Sequence, residues 1–472
     1  GMSALMVRDG PAGLWIGLVV ALAPLIALAL AGRRPASLGP APPVAVHGLI
    51  LVLVAALLIW ANIELAADVA VAFGAPRWHG IVIASGAGFA LSMIGGAERL
   101  RGPLLVAALA GVTLPLLAVA QLSGVGPARA WEVVASRPAF RFSRESPWVT
   151  EGRDLSIAAR GTPVLLEEEH RVTIPGGGVL RALVADGGGS GALEWRLDAG
   201  QLVTLRPGDR IVADPGLRLR FDAGRRIPGA PVSGVAWAEG PAPAWGERLA
   251  LAITFIGGAI GFFGRAGLRR PSRGQVALTG AGLLLALALA QGGAVYGTLQ
   301  GPEVFLGGVT AARITELPML ALGALPGAAA LQGVLLVGLL AGFLASAIAL
   351  KECPGPAGAR SDSDLGRDLG LWAVIFAGAG VASLRAVDPW TMTVLAMGAA
   401  ASAIAPSMLV PAAGVRLAPA ATWLGLGGFV VLSALRLYRP APGVLGIVLE
   451  YPAVVAAPAS LAVLWIARRL AR

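Results

Sequence analysis

Between residues 124 and 245 the chain stops being apolar. Before that stretch, from Trp15 to Gln121, and after it, from Leu249 to the C-terminus, hydrophobic residues run almost without a break. No single water-facing surface can hide so much apolar side chain: 56% of the 472 residues are hydrophobic, 14% are charged and the mean hydropathy is +0.76. The pattern predicts a polytopic α-helical membrane protein with one polar domain inserted, because a helix satisfies its own backbone groups in hydrocarbon.

Crossing about 30 Å of hydrocarbon takes about 20 helical residues. Eleven apolar runs approach that length, near 13–32, 46–73, 80–97, 103–122, 248–264, 275–297, 328–350, 369–386, 390–412, 418–435 and 443–467. The stretch 302–330, broken by Pro318, Pro326 and several glycines, is expected to be interfacial or re-entrant. The count therefore centres on about eleven spans within a range of ten to twelve. The first run is not followed by a convincing cleavage region and is expected to remain as a span. Three blocks follow: a membrane block of about four helices over 1–123, a polar domain over 124–245 and a membrane block of about seven helices over 246–472.

The loops that hold basic residues set the orientation. Arg33 and Arg34; Arg99 and Arg101; Arg265, Arg269, Arg270 and Arg273; Lys351, Arg360 and Arg367; Arg416; and Arg468, Arg469 and Arg472 fall in alternate loops and the C-terminal tail. These segments are expected to face the cytoplasm of a bacterial-type inner (plasma) membrane. The N-terminus then lies outside, the C-terminus inside and residues 124–245 on the extracytoplasmic side. Arg385, Arg436 and Arg439 run against this bias.

The formal charge of +10 does not point to nucleic acid, because the arginines are divided among short loops rather than gathered on one face. A single cysteine, Cys353, excludes an internal disulfide and a multi-cysteine metal cluster. Three histidines, His47, His79 and His170, do not supply the paired axial ligands of a two-haem cytochrome. Walker A, GxSxG and HExxH motifs are absent. No cofactor and no metal are expected.

Within 124–245 the hydrophobic period shortens to two. Leu193, Trp195 and Leu197 alternate with Glu194 and Arg196, and Leu217, Leu219 and Phe221 alternate with Arg218, Arg220 and Asp222. Such alternation marks strands with one buried and one wet face. Turn residues separate them at 175–178, 186–189, 207–209 and 214–216. An antiparallel β-sandwich or barrel of about six to eight strands is expected. Residues 127–245 hold fifteen arginines against fourteen acids, so no single-sign field steers a charged ligand there. Glu167, Glu168 and Glu169 beside His170 resemble a ligand cluster, but a strand would split them between two faces. A charged strand edge is the favoured reading.

Ionisable residues near the spans are candidates for proton or ion binding, because such groups are costly in hydrocarbon. Trp60, Glu64 and Asp68 recur every four residues on one helical face. Glu450 sits beside Pro452 in the last apolar run, where proline frees backbone carbonyls. Arg313 and Glu316 form an i, i+3 pair in the 302–330 stretch, as a re-entrant lining or a solvated surface pair. Gly257, Gly261 and Gly264 form a small-residue face for close helix packing, and Ala396–Ser407 is nearly all Ala, Gly and Ser. Trp78, Trp245, Trp372, Trp390 and Trp423 near span ends read as interfacial anchors.

Three functions fit. The favoured one is a non-catalytic integral membrane subunit or scaffold of a larger cell-envelope or energy-transducing complex. Its outer β domain would dock an extracytoplasmic protein, while its helices contact lipid and protein neighbours. The second is an ion- or proton-coupled transporter or channel using the intramembrane carboxylates. The third, a membrane enzyme of envelope assembly, lacks a recognisable acid, base and nucleophile set.

Overall fold

Helices occupy the long apolar runs and strands occupy the alternating stretch. The computed structural model describes residues 13–32, 45–72, 75–93, 98–122, 124–142, 146–149, 164–186, 189–213, 218–240, 245–265, 327–352, 362–384, 389–410, 418–438 and 443–470, with 280, 291–292, 295–296, 298–299 and 305. In chain order the helices before the β region are α1 (Gly13–Gly32), α2 (Ala45–Ala72), α3 (Arg77–Met93), α4 (Glu98–Leu122) and the short α5 (Pro127–Ala135). Strands β1 (Ser146–Val149), β2 (Val164–Leu165), β3 (His170–Thr173), β4 (Gly178–Asp186), β5 (Gly189–Leu197), β6 (Leu202–Leu205), β7 (Arg210–Ala213) and β8 (Arg218–Phe221) follow. The chain then forms α6 (Gly234–Glu239), α7 (Trp245–Arg265), α8 (Ala328–Glu352), α9 (Asp362–Ala382), α10 (Pro389–Ala403), α11 (Ala405–Leu409), α12 (Ala418–Tyr438), α13 (Gly443–Glu450) and α14 (Ala453–Leu470).

Among the described residues, four helices are long and apolar enough to cross a membrane. Their spans are Gly48–Ala67 in α2, Gly102–Val119 in α4, Ala329–Ile348 in α8 and Ala453–Leu470 in α14. Shorter apolar stretches lie in α1, α9 and α12. This is fewer than the eleven expected runs, for identifiable reasons. The run 275–297 lies almost wholly outside the described residues, as does the stretch 302–330 that was expected to be interfacial or re-entrant. The run 390–412 breaks at Ile404, between α10 and α11, while 443–467 breaks at Tyr451 and Pro452, so that only its second part, α14, is long enough to cross. Pro406 and Pro452 lack the N–H that would continue the ladder, and each ring crowds the carbonyl four residues back.

Among the described residues the β region forms two four-stranded antiparallel sheets and no closed barrel, one sheet ordered β1-β8-β3-β6 and the other β2-β7-β4-β5. The period-two reading is visible in β8, where Leu219 and Phe221 are buried while Arg220 is exposed. Gly177 (φ 70°) turns the chain from β3 to β4, and Gly208 (φ 93°) turns it before β7; both lie in the left-handed region that glycine enters without a Cβ clash.

One hydrophobic cluster joins the sheets to the helical bundle. Val172, Leu219 and Phe221 from the first sheet and Leu180 from the second pack with Val134 of α5 and Trp237 of α6. The same cluster includes Val119 of α4 and Leu335 of α8. A fully buried aliphatic or aromatic side chain contributes about 1.5–3 kcal/mol, so this shared core holds the β region to the bundle. Elsewhere the bundle closes on small residues. A Cβ on Gly258 of α7 would stand 2.6 Å from the Met397 carbonyl oxygen, and one on Gly261 would stand 2.6 Å from that of Ala400. α7 and α10 therefore pack at backbone distance through Gly257, Gly258 and Gly261. The side of Gly264 lies outside the described residues.

Candidate functional site

Glu64 is the candidate that the fold places most decisively. It lies on α2 with its side chain fully buried. Trp60, one turn earlier on the same helical face, donates its indole N–H to Glu64 Oε1 at 3.1 Å. The Arg77 guanidinium, at the first residue of α3, donates to Glu64 Oε2 and forms an ion pair with it. Gly80 permits this approach: a Cβ there would lie 2.7 Å from Ala67 Cα, so any larger residue would push α3 away from α2. Two donors from two helices thus converge on one carboxylate, and its oxygens are engaged in tying α2 to α3. The expected third member of the face, Asp68, follows one turn on along the α2 backbone, with its side chain outside the described residues.

Arg77 was not predicted as a partner for Glu64. The sequence signal was a lone arginine directly after Pro76, at the tip of an apolar helical hairpin. Reading α3 as starting at Gly80 hid it, because Arg77 then falls in a turn rather than on a helix that packs beside α2.

The other candidates do not join Glu64. Glu450 is the last residue of α13, and its side chain is exposed instead of inserted into the bundle. Its helix packs on α12, α7 and α14, whereas α2 packs mainly on α10, α3, α9 and α8. Arg313 and Glu316 lie outside the described residues. Trp372, expected as an interfacial anchor, is buried beside Phe376, and Trp390 stacks on Phe255 at 5.2 Å between centroids. Trp78, Trp245 and Trp423 are exposed.

The Glu167–Glu169 triplet is corrected by the structure. It forms a bend between β2 and β3 instead of a strand. Arg226 pairs with the Glu167 carboxylate, the Arg226 backbone N–H donates to Glu168 at 3.2 Å, and Arg141 lies 3.8 Å from Glu168. The acids tie the β2–β3 bend to the chain after β8. His170 turns inward, is buried and meets the Phe221 ring edge-on at 5.6 Å. Burial lowers its pKa below the ordinary 6.5; Arg225 acts in the same direction and Glu168 and Asp222 oppose it. Among the described residues no group of three His, Cys, Asp or Glu side chains is placed to hold a metal.

The contact between the β region and the bundle is built from specific polar bonds as well as from the shared core. The Tyr296 hydroxyl donates to the Val125 carbonyl at 2.5 Å. Arg137 donates to the carbonyls of Thr298 and Leu299 at 3.4 and 2.8 Å. Phe140 packs on Phe305 at 4.7 Å between ring centroids. Residues that flank α5, Val125 before it and Arg137 and Phe140 after it, are thereby fastened to a segment that precedes α8.

No family model matches the chain, and no curated protein is found as a relative.

Proposed function

We propose that this chain is an integral membrane subunit or scaffold of a larger cell-envelope or energy-transducing complex. In this reading it has about eleven spans, N-out and C-in, with residues 124–245 forming an extracytoplasmic β-sandwich domain that docks a protein partner. The observation that carries the proposal is the use of Glu64. The carboxylate of Glu64, the most buried among the described residues, is spent on an ion pair with Arg77 and a bond from Trp60, as suits a structural clamp between helices. The fastening of the β region through Tyr296, Arg137 and the shared core supports the same reading, because a docking platform must transmit its position to the bundle. The small-residue seam of α7 and α10 fits tight helical assembly.

The test compares two changes in the native membrane. Glu64→Gln should leave the assembly and its activity in place, whereas removing residues 127–245 should release the partner. Loss of activity from Glu64→Gln with the assembly intact would contradict the proposal.

One observation favours the transporter reading as an alternative. The breaks at Ile404 and at Tyr451–Pro452 both lie against α7, since Ala405 and Tyr451 share a buried cluster with Phe255 and Ala259. Interrupted helices expose carbonyls that can bind ions at membrane depth. That reading requires solute or proton flux by the purified chain in liposomes.

A further inference from the structure

Edge strands expose unpaired backbone groups, and proteins usually blunt them with short length, proline or charge. The edges of the two sheets differ in this respect. β1 has four residues and contains Pro147, β2 has two residues and β6 has four. β5 is the exception in length: it has nine residues without proline, bonded to β4 along its whole length, and its two charges, Glu194 and Arg196, are of opposite sign. Among the described residues it pairs with no strand on its other side. β7 reaches only Leu180–Leu183 of β4, so the β4–β5 ribbon continues beyond the sheet.

The end of β5 reads Leu193-Glu194-Trp195-Arg196-Leu197. Laid antiparallel against a second copy with Trp195 at the centre, this segment matches itself at every position. Leu193 meets Leu197 and Glu194 meets Arg196, each pair occurring twice by symmetry, and Trp195 meets Trp195 on the axis. The sheet register places the charged positions on the outer face. Trp195 lies opposite Leu180, a core residue, so residues 194 and 196 fall on the other face, and Arg196 is exposed. A register shift of one residue would set Glu194 opposite another copy's Trp195 or Leu197 and lose both charge pairs.

We propose that β5 is a self-pairing edge, and that two copies of this chain join across it into one continuous antiparallel sheet. The contact is isologous, so a single two-fold axis closes it and leaves no further edge of this kind. It holds whether or not the chain is a subunit of a larger complex, because it uses only the β5 edge.

Two copies with different tags, co-expressed and extracted in mild detergent, provide the test. Wild-type copies should co-purify. Glu194→Arg sets arginine against Arg196 of the other copy, and Arg196→Glu sets glutamate against Glu194; each variant alone should reduce co-purification at least several-fold. Co-expressing the Glu194→Arg chain with the Arg196→Glu chain restores opposite charges at both positions and should recover pairing, which also shows that both variants fold. Wild-type copies that never co-purify, single variants that pair like wild type, or a mixed pair that stays apart would each overturn the proposal.

Discussion

Arg77 opens α3 and pairs with Glu64 on α2, thirteen residues earlier, where the carboxylate is fully buried and the arginine remains 23% exposed. That asymmetry sets the order of two substitutions. Arg77→Ala removes the guanidinium from a buried carboxylate and should destabilise the protein by about 2–4 kcal/mol, since breaking a buried ion pair at one partner is costly. Glu64→Gln keeps an acceptor for Trp60 and leaves the arginine able to reach water, so it should cost less, about 1–2 kcal/mol. Thermal unfolding in detergent measures both, and a larger loss from Glu64→Gln than from Arg77→Ala would reverse the assignment.

His170 makes the β region sensitive to acid. Its pKa is lowered in the folded state, chiefly by burial, and among the described residues its Nδ1 has no hydrogen-bond partner. The unfolded chain therefore binds a proton first as pH falls. Stability is complete above the ordinary value of 6.5 and declines as pH drops below it. His170→Phe, which keeps a ring against Phe221, should flatten this dependence between neutral pH and the onset of carboxylate titration. Denaturant midpoints at a series of pH values check it.

Gly111 of α4 and Gly338 of α8 meet so closely that a Cβ on Gly111 would overlap Gly338 Cα. Gly111→Ala should force the helices apart and cost about 1–3 kcal/mol. Gly102, on the same helix with nothing within 4 Å of an added Cβ, provides the control. Gly102→Ala should be neutral or stabilising by up to about 1 kcal/mol. Melting temperatures of the two variants should move in opposite directions, or only Gly111→Ala should move.

Tyr296→Phe removes the hydroxyl bond to Val125 and leaves the ring in the shared core. The expected loss is about 1 kcal/mol, confined to the joint between the β region and the bundle. Hydrogen exchange should quicken around Val125 and leave the β3–β6 pairing unchanged.

Helical runs and alternating strands were legible because each depends on local periodicity, and the observed α2, α4 and α8 lie on the runs expected from it. The break at Ile404 was not anticipated, because apolar composition is blind to the backbone donor that Pro406 lacks. Pro452 was read as loosening the ladder beside Glu450, without the full break that divides α13 from α14. Glu64 was legible as an acid within a long apolar run, while its bond to Arg77 depends on how closely two helices approach, which Gly80 decides. The Glu167–Glu169 bend was misread as a strand because its partners, Arg226 and Arg141, are distant in sequence and arrive only through the sheet topology. Gly258 and the Gly111–Gly338 contact escaped for the same reason: a glycine signals close packing only once its neighbour is known.

Isolation of the tagged protein from its own membranes in mild detergent, followed by measurement of mass and composition, tests the subunit reading most directly. The account predicts a second polypeptide in stoichiometric amount that is lost when residues 127–245 are removed and retained in Glu64→Gln. A chain that elutes without any other polypeptide and drives solute or proton flux in liposomes, with that flux abolished by Glu64→Gln, would contradict it.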